Sequence, residues 1–220
     1  MSTLPPPFLF RYALPVMRIE GVPLSGRREK LLDLPPQCAV GSPAARLGRG
    51  IEFGELRAAW NDEGFGLSVA VTGKRMPLAC DARQPDEADG LRLWIDTRDT
   101  QSIHRAGRYC HCFCVLPAGS GPEEREPTVA QLPIARARED APRVDASGIP
   151  VRSAPTDDGY LLEVWFPAEM LHGFDPEASP RLGFYYVLKD AELGEQHLTL
   201  GSEFPYSNDP SLWSTLELVR

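Results

Sequence analysis

Prolines and glycines interrupt this chain too often for long helices to form. They account for 22 and 19 of its 220 residues, about a fifth together. Proline removes a backbone donor and clashes inside a helix, so the sequence favours turns and short extended segments. Between the turns the apolar residues follow a two-residue period. In Phe65-Gly-Leu-Ser-Val-Ala-Val-Thr72, the large residues Phe65, Leu67, Val69 and Val71 alternate with smaller ones. Leu56-Arg-Ala-Ala-Trp60 precedes this segment across Asn61-Asp-Glu-Gly64, a turn-type cluster, and the pair reads as a β-hairpin.

The same reasoning predicts strands at 8–14, 90–96, 108–116, 159–166, 182–188, 196–200 and 213–219. Seven prolines and many charges fall between Pro117 and Pro155. A regular central strand does not tolerate that density, so a long loop with short edge strands such as 134–138 is expected there. Pro167 suits the first position of a short helix over 167–172, closed by Gly173. These elements predict an all-β fold: a single antiparallel β-sandwich of the jelly-roll type over 56–220 with one short helix. Residues 1–55 read as an irregular lead-in that packs on it.

Charge narrows the function. Lys and Arg number 23 against 31 Asp and Glu, a net charge of −8. Nucleic acid needs a positive surface that displaces counterions, and anionic membranes need the same, so neither is an expected partner. No run of 18 apolar residues is present, and the first residues lack the basic-then-apolar pattern of a signal peptide. The five cysteines are an odd set, three of them at Cys110, Cys112 and Cys114. On a strand these share one face, too poorly placed for disulfides with each other, and read as buried thiols acting as small apolar groups. A reducing, cytoplasmic setting follows as the expectation, with export as the alternative.

Five segments in order resemble the family 9 carbohydrate-binding modules and the wider DOMON-like β-sandwiches. They are Trp60-Asn-Asp-Glu-Gly-Phe-Gly-Leu-Ser-Val-Ala-Val71, Asp89-Gly-Leu-Arg-Leu-Trp-Ile-Asp96, Gly159-Tyr-Leu-Leu-Glu-Val-Trp-Phe-Pro167, Arg181-Leu-Gly-Phe-Tyr-Tyr-Val-Leu-Lys-Asp190 and Asp209-Pro-Ser-Leu-Trp-Ser-Thr-Leu-Glu-Leu218. The resemblance implies a non-catalytic binding module for a carbohydrate or other polar small ligand. In sugar-binding members two tryptophans clamp a terminal sugar; this sequence aligns Asp86 and Ser207 with them. Losing both aromatic planes removes most of the contact with a sugar's apolar face. A protein-interaction sandwich that has lost the sugar site is therefore the alternative, with a protein as partner.

The polar stretch after the third strand supplies the candidate ligand residues: Asp96, Arg98, Arg108 and His111, joined by Tyr206 and Trp213 from the last loop. Asp86, Glu87 and Asp89, or Asp157 and Asp158, offer hard oxygen ligands for a structural calcium. His104, Cys110, His111 and Cys112 have zinc-ligand chemistry, but adjacent strand residues point to opposite faces. Met76, His111 and His197 are the residues a haem would use, and nothing in their spacing singles them out. Nucleotide-loop, nucleophile-elbow and His-Glu-x-x-His motifs are absent. Glu163 and Glu169 are the carboxylates a hydrolase would use, though Glu163 sits mid-strand among apolar residues.

Overall fold

Eleven strands make up the computed structural model, which describes residues 12–25, 30–43, 51–199 and 201–220. They are β1 (Ala13–Arg18), β2 (Gly54–Asn61), β3 (Gly64–Thr72), β4 (Gly90–Asp96), β5 (Cys110–Ser120), β6 (Glu126–Leu132), β7 (Val151–Thr156), β8 (Gly159–Pro167), β9 (Arg181–Asp190), β10 (Gly194–His197) and β11 (Ser214–Val219). Hydrogen bonding runs in the order β6-β5-β4-β9-β11-β1-β2-β3-β8-β7, and β10 adds to β9. Among the described residues only β1 pairs in parallel, with β11 on one side and β2 on the other.

This ribbon doubles over so that its halves face each other. Phe113 of β5 meets Phe166 of β8 with ring centroids 4.9 Å apart, and Phe65 of β3 meets Phe184 of β9 at 6.3 Å. The edge strands β6 and β7 lie side by side. The alternating residues anticipated in the sequence fill the space between the layers: Phe65, Leu67, Val69 and Val71, Leu91, Leu93 and Ile95, Leu162, Val164 and Phe166 are all buried. Each contributes about 1.5–3 kcal/mol of burial. The hairpin closes as expected, with Asn61 opposite Gly64. The Asn61 amide donates to the Ile19 and Val22 carbonyls and its oxygen accepts from Glu63 N, so this buried side chain is satisfied.

Three expectations need correction. The segment 134–138 is a turn, and the strands of the proline-rich region are the longer β6 and β7 on either side of it. Pro127 and Pro155 sit in these two strands, which end the ribbon, where a missing N–H breaks no second ladder. The expected helix after β8 is a single 3-10 turn, Ala168–Met170, with Pro167 as its cap. The lead-in does more than pack on the sandwich, because β1 is a strand of the sheet itself. Of the strand expected at 8–14, residues 8–11 lie outside the described residues. Pro15 falls where β1 has only β11 beside it, since β2 pairs only with Met17 and Arg18.

Candidate functional site

Both faces of the central strands are apolar, so something must cover the outward one. Over β8 and β3 the cover is the lead-in. Val22, Leu32, Leu34 and Cys38 pack on Trp165 and Ala59. Gly66 leaves room for this, as a Cβ there would press on the Trp165 ring and on Leu32. The Glu163 carboxylate fastens the cover by accepting from Leu31 N at 2.7 Å and from Leu32 N and Asp33 N at 3.3 Å each. Three successive N–H groups around one carboxylate form an anion nest filled from within. Over β5 the cover is the 133–143 turn, where Ile134 joins the cluster of Cys110 and Cys112. Arg105 holds that turn through the carbonyls of Arg136 and Ala137.

Over β4 and β9 the cover is incomplete. Tyr206 stacks on Tyr185 with centroids 4.4 Å apart and meets Trp94 and His197 edge-on, both at 5.5 Å. Beside it opens a cleft of about 200 Å³ lined by Asp86, Glu87, Arg92, Trp94, Val187, Lys189, Glu195 and Tyr206. Strand alternation explains the set: Arg92 and Trp94 of β4 and Val187 and Lys189 of β9 project outward from paired strands. The Arg92 guanidinium lies 6.0 Å from the Trp94 ring centre. Lys189 Nζ donates to Glu87 Oε2 at 2.9 Å and to the Asp86 carbonyl at 3.3 Å. Glu195 lies 3.3 Å from His197 Nε2. Burial lowers the His197 pKa, opposed by Glu195. Donors and acceptors thus ring a floor of aromatic edges, in a volume below the roughly 300 Å³ of drug-sized pockets.

No protein-family model matches this sequence, and no curated protein matches it. Solved structures do. A family 9 carbohydrate-binding module from Caldicellulosiruptor kristjanssonii, solved with glucose, superposes with a TM-score of 0.59 at 11% identity, covering 94% of this chain and 96% of that one. The same kind of module from that organism with cellotriose gives 0.57 at 12% identity, covering 94% and 93%. A Bacteroides uniformis protein named as a candidate carbohydrate-binding protein gives 0.54 at 13% identity, covering 96% and 100%. This chain has the family 9 fold.

On the family 9 fold the sequence-derived residues divide. Asp86, Glu87 and Tyr206 come together in the cleft. Arg92, Trp94, Lys189 and Glu195 complete it. Sequence reading passed over these four because they sit mid-strand or beside a turn, where polar residues usually mean only a solvated face. For Arg92, Trp94 and Lys189 the signal was the outward period of β4 and β9 combined, whereas Glu195 stands on β10 opposite Lys189. Ser207 is exposed beside Tyr206.

The remaining residues do other work. Asp96 ends β4 and accepts from Arg98 N and Thr100 N at 3.0 and 2.7 Å, shaping the turn. Burial raises its pKa against those hydrogen bonds. Arg98 and Arg108 are exposed and lie 5.0 and 5.8 Å from the Tyr109 ring, which stacks on His172 at 5.2 Å. His111 is 0% exposed inside the sandwich, with Nε2 3.2 Å from the His172 carbonyl, and burial lowers its pKa to about 4. Trp213 is a core residue whose Nε1 donates to the Tyr206 carbonyl at 2.8 Å, so it props the cleft wall without facing the cleft.

Asp89 is not placed with Asp86 and Glu87. It is buried with Asp190 around Lys74, whose Nζ is 3.1 Å from Asp89 and 2.9 Å from Asp190. Burial works against the Lys74 charge, but these carboxylates outweigh it and raise its pKa. An ammonium thus occupies the centre that a calcium would need. Asp158 in the β7–β8 turn accepts from Gly73 N through its carboxylate and from Lys74 N through its carbonyl, tying that turn to the segment after β3. No group of three metal-type ligands occurs among the described residues. Cys110, Cys112 and Cys114 are free and buried, as expected of apolar packing, and burial pushes the Cys110 thiol up to about 12. Glu163 is committed to its nest and Glu169 is exposed, so the two make no enclosed acid–base pair.

Proposed function

We propose that this chain is a non-catalytic binding module that takes a single saccharide ring, or a polar ligand of that size, in the cleft between Asp86 and Tyr206. The observation that carries the reading is the uncovered patch of the outward sheet face. There Arg92, Lys189, Glu87 and Glu195 offer paired donors and acceptors beside the Trp94 and Tyr206 edges. Adjacent hydroxyls on a sugar ring need such alternating polar partners, and its C–H face needs an apolar floor. The family 9 fold supports the reading, since two of its examples were solved with cellotriose and glucose. Asp86 and Ser207 in place of clamping tryptophans make the expected affinity modest.

A thermal-shift titration with glucose, cellotriose and other saccharides tests it. A ligand that binds only the folded chain stabilises it by about 2.7 kcal/mol at 100 times its dissociation constant. A saturable shift that disappears in Lys189→Ala supports the cleft. No shift with any saccharide makes the protein-interaction alternative the better account.

A further inference from the structure

Within the cleft the acids and the bases are not equivalent. Glu87 already has Lys189 at 2.9 Å, and Glu195 has His197 at 3.3 Å. Arg92 differs. It stands mid-strand, half-buried, with its guanidinium over Trp94, and among the described residues no carboxylate forms an ion pair with it. Its hydrogen-bonding neighbour is the buried Cys114 thiol on the paired strand β5, a weak partner for a guanidinium, and the exposed Asp86 carboxylate acts on it only from beyond ion-pair distance. A partly desolvated arginine normally spends its planar fork on a carboxylate or phosphate. The three acids of the cleft, Asp86, Glu87 and Glu195, lie on the exposed rim, where water and salt screen them. Arg92 and Lys189 instead rise from rigid paired strands on the cleft floor.

Building on the saccharide reading, we infer that the cleft prefers an acidic sugar, a uronic acid, whose carboxylate takes the open fork of Arg92 while its hydroxyls meet Lys189, Glu87 and Glu195. Arg92 is then the residue that sets specificity, and the Trp94 ring beneath holds its plane in position. No bond forms or breaks; the ligand anion replaces water on a preformed cation.

Calorimetric titration of the full chain with sodium glucuronate, glucose and sodium acetate separates the parts. Glucuronate binding at least about tenfold tighter than glucose is expected, because a hydrogen-bonded charge pair is added to the same ring contacts. Acetate alone binds far more weakly than glucuronate. In Arg92→Gln, and in Arg92→Lys, which keeps the charge but loses the fork, the glucuronate-to-glucose ratio falls toward one, with melting curves confirming that both variants fold. Glucose binding as tightly as glucuronate, or a ratio that survives Arg92→Gln, overturns the acidic-sugar inference and leaves the saccharide reading standing. Binding of none of the three overturns both.

Discussion

Trp165 and Trp94 meet opposite fates on the same kind of surface. Each projects outward from a central strand, and each is 2% exposed. Trp165 is sealed by Val22, Leu32, Leu34 and Cys38, and the seal is fastened by the Glu163 nest. Trp94 is covered by Tyr206, Tyr185 and the Arg92 guanidinium, and Lys189, Glu87 and Glu195 line the cleft beside it. Burial alone therefore does not separate a tryptophan sealed under its own chain from one beside an open cleft. What separates them is the chemistry of the cover: an apolar segment of the same chain closes one face, and a charged rim surrounds an open cleft on the other.

The largest expected effect breaks the covered side. Trp165→Ala removes the ring on which the lead-in rests and costs about 3–5 kcal/mol of stability in urea unfolding. Saccharide binding by the molecules still folded stays unchanged. If the folded variant loses that binding, the two faces are not independent and the comparison fails.

The next test acts on the layer between the two faces. His111 has a folded pKa of about 4 against about 6.5 in the unfolded chain. Its folded pKa is depressed, so the unfolded state takes up the proton first. Stability is full above pH 6.5 and declines as pH falls toward 4, by on the order of 3 kcal/mol. Urea unfolding at a series of pH values measures this, and His111→Gln, which cannot charge, flattens that part of the profile.

Glu163→Ala strips the nest from Leu31, Leu32 and Asp33 and costs about 2 kcal/mol. Amide hydrogen exchange reads it directly: those three N–H groups lose protection while the amides of β4 and β9 keep theirs. The smallest stability effects fall on the open side. Lys189→Ala changes stability by less than about 0.5 kcal/mol yet removes the saccharide-induced thermal shift. Arg98→Ala with Arg108→Ala is equally mild and leaves that shift intact, because those arginines flank Tyr109 at a separate place.

Much of the fold was legible because strand alternation is local. The β2–β3 hairpin, β4 at Gly90–Asp96 and the buried side of β8 follow from period and turn chemistry alone. The placement of β1 was not, since nothing in Ala13–Arg18 tells which strands it joins, and its parallel partners are far along the chain. Nor did local period show that Pro127 and Pro155 would lie in strands, because that depends on those strands ending the ribbon. The cleft was half legible. Asp86, Glu87 and Tyr206 belong to loops whose polarity drew attention, whereas Arg92 and Lys189 become neighbours only through the β4–β9 pairing. His111 misled for the opposite reason: its chemistry suggested a ligand, and its alternation with the cysteines put it inside the sandwich.

The comparison rests on the open cleft being where a ligand binds. Titrating isotopically labelled protein with glucose and with glucuronate, and following amide and side-chain shifts by NMR, tests this most directly. The account predicts saturable changes at Arg92, Trp94, Val187, Lys189, Glu195 and Tyr206, with Leu31–Asp33 and Trp165 unmoved. Changes centred on Tyr109 and His172, or none at saturating saccharide, would contradict it.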